Sequence, residues 1–286
     1  MLRRWWIWTG AALLGLVVIY AATIAQNLSG IFVPQRTLDA QIALLRPGVE
    51  ARLPANALRP IPAVLLFHGC GGQRPMHHSY ADAITEAGFA AVLIDSFAPR
   101  RIGRFAAMTQ VCAGLRLQGQ ERAADVFAAL EIVRSMPEID SQRLVLAGWS
   151  HGGWTLLDAA SFAGIGDQPS ALVDSPGYLH GVVRIVAIYP YCGFPARASG
   201  RLVDGLPPIE IILAGGDMVA PIADCECLAR RAEATGADLS YEVWSGVTHA
   251  FDDPDAPALD PRMSYDASAA HRLRDRLIST LRESQD

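Results

Sequence analysis

The sequence predicts a doubly wound α/β fold, a mostly parallel sheet covered by helices on both faces and preceded by an apolar N-terminal helix. Three observations carry that prediction. Short apolar runs recur from Pro60 onward at the length of a buried strand. Amphipathic stretches of helical spacing separate them. One Gly-x-Ser-x-Gly segment sits between such a run and such a stretch.

The runs are Ala63–Phe67, Ala90–Ile94, Leu144–Ala147, Val182–Tyr189, Ile209–Leu213 and Tyr241–Trp244. Nearly continuous apolarity over so few residues suits parallel strands buried on both faces. Helices are expected at Tyr80–Ala87, Gly119–Ser135, Trp154–Phe162, Ala223–Ala234 and Ser264–Arg282. In the second of these, Ala123, Phe127, Leu130 and Val133 fall on one face at helical spacing. Residues 27–59, punctuated by Pro and Gly, read as a lead-in with a few short strands, such as Gln41–Leu45. The Gly-, Pro- and Asp-rich stretch Gly164–Gly181 breaks the rhythm and reads as an excursion that covers a site. The organisation expected is therefore 1–26, 27–59 and a catalytic domain over 60–286.

Composition narrows the chemistry. The chain has 286 residues, a formal charge of −5 and 51% hydrophobic residues, enough for a core without metal staples. A net acidic chain lacks the basic face that nucleic acid requires. All 24 basic residues are Arg, with no Lys anywhere. Schiff-base enzymes, Ser-Lys hydrolases, P-loop NTPases and protein kinases all need a Lys amine and are excluded.

Trp5 to Ala25 is a run of 21 residues without a charge, preceded by Arg3 and Arg4. At about 1.5 Å per residue such a helix spans a hydrocarbon core of roughly 30 Å. The Arg pair and Trp5, Trp6 and Trp8 place that end on the cytoplasmic side. The expectation is an uncleaved anchor in a bacterial inner membrane with the catalytic part in the periplasm. A cleaved signal ending near Thr23-Ile24-Ala25, giving a secreted protein, is the alternative, and a buried helix a third reading. Export permits disulfides among Cys70, Cys112, Cys192, Cys225 and Cys227. Five cysteines leave at least one thiol. The pairing favoured is Cys70 with Cys112, and Cys192 with Cys225 or Cys227, against a reading in which several are small buried apolar residues.

The chemistry centres on Gly148-Trp149-Ser150-His151-Gly152-Gly153, directly after the strand Leu144–Ala147 and opening a helix. In that context Gly-x-Ser-x-Gly makes a tight reversal that exposes the Ser hydroxyl at the positive end of the following helix. A Ser hydroxyl needs a base, and the base needs a carboxylate to hold it. Asp217 follows Ile209–Leu213 in Gly215-Gly216-Asp217, and His249 follows Tyr241–Trp244 in Gly246-Val247-Thr248-His249. His271 in the terminal helix, His180 before an unsuitable strand, and His77-His78 ahead of the nucleophile all fall out of order. The oxyanion would be held by the backbone N–H groups of His151 and Cys70, the latter in His68-Gly69-Cys70-Gly71-Gly72. His68 is expected to brace that loop. Arg100, Arg101 and Arg104 lie near the same edge and could meet an anionic substrate, although solvated or structural charges are the ordinary reading. This chemistry calls for no cofactor and no metal.

With those residues in place, the chain from about Pro60 to Leu281 resembles the dienelactone hydrolase family of the α/β-hydrolase superfamily. The resemblance rests on His68–Gly72, Asp95-Ser96-Phe97-Ala98-Pro99-Arg100, Gly148–Gly153, Gly216-Asp217 and His249-Ala250-Phe251, with Arg122–Asp125 and Tyr265-Asp266 similar as well. It implies an α/β-hydrolase fold and a Ser150–Asp217–His249 triad acting on small-molecule esters or lactones. The members that name the family use a Cys nucleophile, whereas this chain has Ser150. An acyltransferase or peptidase would share the triad, and a non-catalytic binding protein would share the fold.

Overall fold

The computed structural model describes residues 2–29, 33–55, 60–174, 177–258 and 260–283. Residues 30–32 and 56–59 of the lead-in lie outside the described residues. Seven strands form one sheet: β1 (Val49–Arg52), β2 (Ile61–Phe67), β3 (Ala90–Ile94), β4 (Ile139–Trp149), β5 (Val182–Ile188), β6 (Ile209–Ala214) and β7 (Leu239–Trp244). Their spatial order is β1-β3-β2-β4-β5-β6-β7, with β1 antiparallel to β3 and every other pair parallel. This is the α/β-hydrolase architecture, with the strand order reversing at β2 and β4, where an open sheet leaves a crevice at its carboxyl edge.

Alternation along the strands sends side chains to two cores. Ala63, Leu65 and Phe67 of β2 and Leu144 and Leu146 of β4 join one cluster. Val64, Leu66, Val145, Ala147 and Trp149 join the other. On the first face pack α2 (Leu38–Leu45), α5 (Gly119–Arg134) and α6 (His151–Gly164). On the second pack α3 (Pro75–Glu86) and α8 (Ala267–Glu283). A short α4 (Arg104–Ala106) runs into a wide turn at Ala107–Val111, and α7 (Ile222–Ala234) precedes β7.

Two expectations are corrected here. Gln41–Leu45 belongs to α2 and is no strand. Thr37 caps that helix through its hydroxyl, which accepts from the Ala40 N–H at 3.2 Å, and Asp174 accepts from the Leu38 N–H at 2.9 Å. Gln41 and Leu45, one turn apart, are both buried, and the Gln41 amide donates to Asp125 of α5. A five-residue apolar run carries no decisive period, so the cap and the partner helix settle its geometry. The stretch Gly164–Gly181 begins where α6 ends and leads into the start of β5, at the amino edge of the sheet. Its described residues pack against the lead-in through an Arg36–Leu172 bridge, and none of them lines the cavities at Ser150.

In the N-terminal helix α1 (Leu2–Ser29), the stretch Trp5–Thr23 is long and apolar enough to cross a membrane, with mean hydropathy 1.7 and none of it buried in the fold. The disulfides are Cys70–Cys112 and Cys192–Cys225, and Cys227 keeps its thiol.

Candidate active site

Ser150 stands on the turn between β4 and α6 with φ 52° and ψ −113°, a conformation that side chains rarely adopt. The turn is possible because its neighbours lack side chains. A Cβ on Gly152 would lie 2.2 Å from the Phe67 carbonyl oxygen, and one on Gly148 would lie 2.6 Å from the Gly152 carbonyl carbon. The Ser150 N–H donates to the Ile188 carbonyl at 2.8 Å, pinning the turn to β5.

Asp217 leaves the end of β6 through Gly215 and Gly216, whose N–H groups donate to Trp244 and Val247 carbonyls, each at 2.8 Å. One carboxylate oxygen of Asp217 accepts from the Val219 and Ala220 N–H groups, both at 2.8 Å. The other lies 2.6 Å from Nδ1 of His249, in the loop after β7, and both side chains are almost closed off from solvent. Nε2 of His249 lies 2.9 Å from the Ser150 hydroxyl. A neutral imidazole bonded this way donates from Nδ1 to the carboxylate and accepts the hydroxyl proton at Nε2. Residues 67 and 32 positions apart along the chain thus form one line of hydrogen bonds.

The Gly69 loop runs beside this line: a Cβ on Gly69 would sit 3.4 Å from that of Ser150. Neither the Cys70 nor the His151 N–H has an acceptor in the turns and caps of the described residues. The loop is held from below by Arg122, fully buried on α5. Its guanidinium donates to the His68 carbonyl at 2.8 Å, the Ser96 hydroxyl at 3.0 Å and Nδ1 of His151 at 3.0 Å. Burial pulls the Arg122 pKa down to about 10. Burial and then the Arg122 charge also push His68 and His151 below the usual imidazole range. Nδ1 of His68 donates to the Gly69 carbonyl at 2.7 Å, and its Nε2 accepts from the Ser96 N–H at 3.2 Å. His68 therefore braces the loop.

Two neighbours of the site escaped the sequence reading. The carboxylate of Asp252 is buried behind His249 and accepts from the Tyr189 hydroxyl at 2.6 Å, Trp149 Nε1 at 2.8 Å and the Tyr80 hydroxyl at 2.9 Å. Burial raises its pKa. The Tyr189 ring in turn packs 4.8 Å from the His249 ring. The available signal was the pair Asp252-Asp253 directly after His249-Ala250-Phe251, together with a Tyr closing β5. Of the arginines expected near this edge, Arg100 is structural, bonded to the buried Asp125 at 2.8 and 3.1 Å, while Arg101 and Arg104 are exposed. His180 and His271 lie away from the site, and His271 pairs with Asp275 on α8.

Two cavities meet at Ser150. One of about 250 Å³ is lined by Cys70, His151, Trp154, Tyr191, Phe194 and, from α1, Tyr20 and Thr23. The other, about 270 Å³, runs past His249, Tyr189, Arg74 and Met263.

The same fold occurs in solved structures of low sequence identity. A dienelactone hydrolase-like promiscuous phosphotriesterase from metagenomic libraries is 18% identical, covers 82% of this chain and 91% of its own, and superposes with a TM-score of 0.60. A thermophilic esterase of the planctomycete Thermogutta terrifontis, with propionate bound, is 16% identical over 81% of this chain and 87% of its own, with a TM-score of 0.54. The Thermogutta esterase phosphoramylated by tabun gives 16% identity over the same shares and a TM-score of 0.57. No curated protein is similar enough in sequence to match. The model of the dienelactone hydrolase family matches residues 49–285, and with the sheet, the Ser150 turn and the His68 loop in hand, the chain belongs to the dienelactone hydrolase family.

Proposed function

We propose that this member of the family is a serine hydrolase that cleaves carboxylic esters or lactones through an acyl-enzyme. The observation that carries the proposal is the unbroken line from Ser150 through His249 to Asp217, at 2.9 and 2.6 Å. His249 takes the hydroxyl proton as Ser150 attacks the carbonyl carbon. Asp217 holds the imidazole in its tautomer and stabilises the cation that forms. The Cys70 and His151 N–H groups receive the negative charge on the carbonyl oxygen. The imidazolium then protonates the departing alcohol, and water, activated by the same His249, releases the acid. With two cavities flanking Ser150, the acyl and alcohol halves have separate places to lie.

The Thermogutta esterase, which shares this fold, forms adducts with organophosphorus compounds, and that reactivity suggests the test. A fluorophosphonate probe should label the intact chain on the peptide that carries Ser150. Ser150→Ala should abolish both labelling and hydrolysis of p-nitrophenyl acetate. Undiminished ester hydrolysis by the variant would remove Ser150 from the mechanism. A binding protein with this fold would neither label nor turn over, and an acyltransferase would label yet consume ester only with an added alcohol or amine.

The proposal extends to organisation and location. Residues 1–26 would anchor the chain, 27–59 would lead in and contribute β1 to the sheet edge, and 60–286 would form the catalytic domain. With Arg3 and Arg4 on the cytoplasmic side, that domain would face the periplasm.

A further inference from the structure

The membrane-spanning candidate and the nucleophile share a cavity. Tyr20 and Thr23, at the last turn of the Trp5–Thr23 span, line the same space as Ser150 and His151. A 19-residue span rises about 28 Å, close to the thickness of a hydrocarbon core. With that span anchored in the bilayer as proposed above, its last turn lies at the outer boundary, and the mouth of the cavity lies there with it.

The rim of that mouth is apolar in a way that water alone does not favour. Phe105 is 81% exposed, Met218 69%, Phe194 61% and Leu115 41%. Phe194 lines the cavity itself, Met218 precedes the lining residue Val219, Leu115 directly follows the lining stretch Val111–Gly114, and Phe105 stands on α4, one wide turn before that stretch. Between Phe97 and Gln120 the chain has no acidic residue and four arginines. Arg100 is taken up by Asp125, whereas Arg101, Arg104 and Arg116 are exposed and have no carboxylate partner among the described residues. Exposed aromatic and aliphatic side chains interleaved with unpaired cations suit a surface that settles into a lipid interface with anionic headgroups.

We propose that the rim formed by Phe105, Leu115, Phe194 and Met218 rests on the outer face of the bilayer, and that the substrate is a lipid-soluble ester taken from that leaflet. The inference rests on the ester-hydrolase reading of Ser150 and narrows its substrate class to long-chain, membrane-partitioned acyl esters. The ester enters from the apolar side and Ser150 displaces the alcohol, which leaves with the proton from His249. Water then supplies the hydroxyl of the released acid, so no further co-reactant is needed.

The test uses the full chain reconstituted in vesicles of phosphatidylethanolamine and phosphatidylglycerol. Two substrates are compared: p-nitrophenyl acetate in the water, and p-nitrophenyl palmitate carried in the bilayer. The variants are Phe105→Asp, Leu115→Asp and the pair together, none of which lines the cavity. The double variant should lose about tenfold or more on the palmitate while keeping the acetate rate within about twofold. An unchanged ratio of the two rates overturns the inference and leaves the ester-hydrolase reading standing. If the unaltered chain turns over neither ester, both fall. A change in oligomeric state with an unchanged ratio would assign the rim to a second copy of the chain and also overturn the proposal.

Discussion

Nη1 of Arg122 lies 3.0 Å from Nδ1 of His151, and the same nitrogen donates to the His68 carbonyl at 2.8 Å. Since a guanidinium only donates, Nδ1 of His151 must accept, and its proton sits on Nε2. One buried cation thereby ties the residue after the nucleophile to the loop that carries Cys70. These are the two segments whose N–H groups are proposed to hold the oxyanion.

Arg122→Met should therefore act on catalysis more than on binding. It leaves the His68 carbonyl and Nδ1 of His151 without their donor and lets the two segments drift. We expect kcat to fall about 100-fold with KM changed less than about threefold, beside a stability loss of about 1–3 kcal/mol. Steady-state kinetics normalised to active sites titrated with a fluorophosphonate separate the two effects. A purely structural role would lower the number of sites and leave kcat per site intact.

Two carboxylates stand near His249 and should respond differently. Asp217 bonds Nδ1 directly, so Asp217→Asn should favour the wrong tautomer and lower kcat by about 10⁴-fold with little change in melting temperature. Asp252 instead accepts from the Tyr189 hydroxyl, and it is the Tyr189 ring that packs against His249. Asp252→Asn should cost stability, on the order of 1–3 kcal/mol, and change kcat far less. Paired kinetics and calorimetry check the contrast, and an equal loss of kcat in both variants would contradict it.

The Cys70–Cys112 disulfide clips the proposed oxyanion loop to the segment that follows α4. Replacing both cysteines by Ser should lower kcat about tenfold by loosening the Cys70 N–H. It should also reduce stability by about 4 kcal/mol, the scale expected for a closed loop of 42 residues. Dithiothreitol should produce at least the same loss in the unaltered chain, and in the double variant only the smaller effect of reducing Cys192–Cys225.

Acid should destabilise the fold through its buried imidazoles. His77 accepts the Arg74 N–H at Nδ1, 3.0 Å away, and burial, reinforced by His68, pulls its pKa down to about 3. In the unfolded chain an imidazole titrates near 6.5, so between pH 6.5 and 3 the unfolded state binds the extra proton. Stability is complete above that window and falls as pH falls through it, by up to about 5 kcal/mol from this residue. His77→Gln, which cannot take the proton, should flatten the decline of the urea midpoint measured from pH 7 to pH 4. A slope as steep as that of the unaltered chain would count against the assignment.

How much of this was legible beforehand depends on the range of the interactions concerned. The reversal at Ser150 was legible because its demands are local: two glycines where a Cβ would strike Phe67 or Gly152, with an apolar run before and a helix after. The strands β2 to β6 were legible because burial on both faces leaves near-continuous apolarity. The exposed edge strand β1 has only half-buried and exposed residues and carried no such signal. The segment Gln41–Leu45 misled because its neighbours Thr37 and Asp125, which make it a helix, lie outside the run itself. Arg122 stood out only as part of a family-like segment. A lone Arg between alanines on a helix does not announce which carbonyl it will reach.

By itself the sequence determined the class of fold, the order of nucleophile, acid and base along the chain, and the apolar span at its start. These follow from periodicity, glycine geometry and residue type. Only the tertiary structure decided that Asp217 and His249 meet in line with Ser150, that Cys192 bonds to Cys225, and that Asp252 and Arg122 are buried beneath the site. It also decided that Tyr20 and Ser150 line one cavity. Those relations depend on where the parallel strands deliver their loops, and a backbone's long-range closure leaves no local mark in the residues it joins.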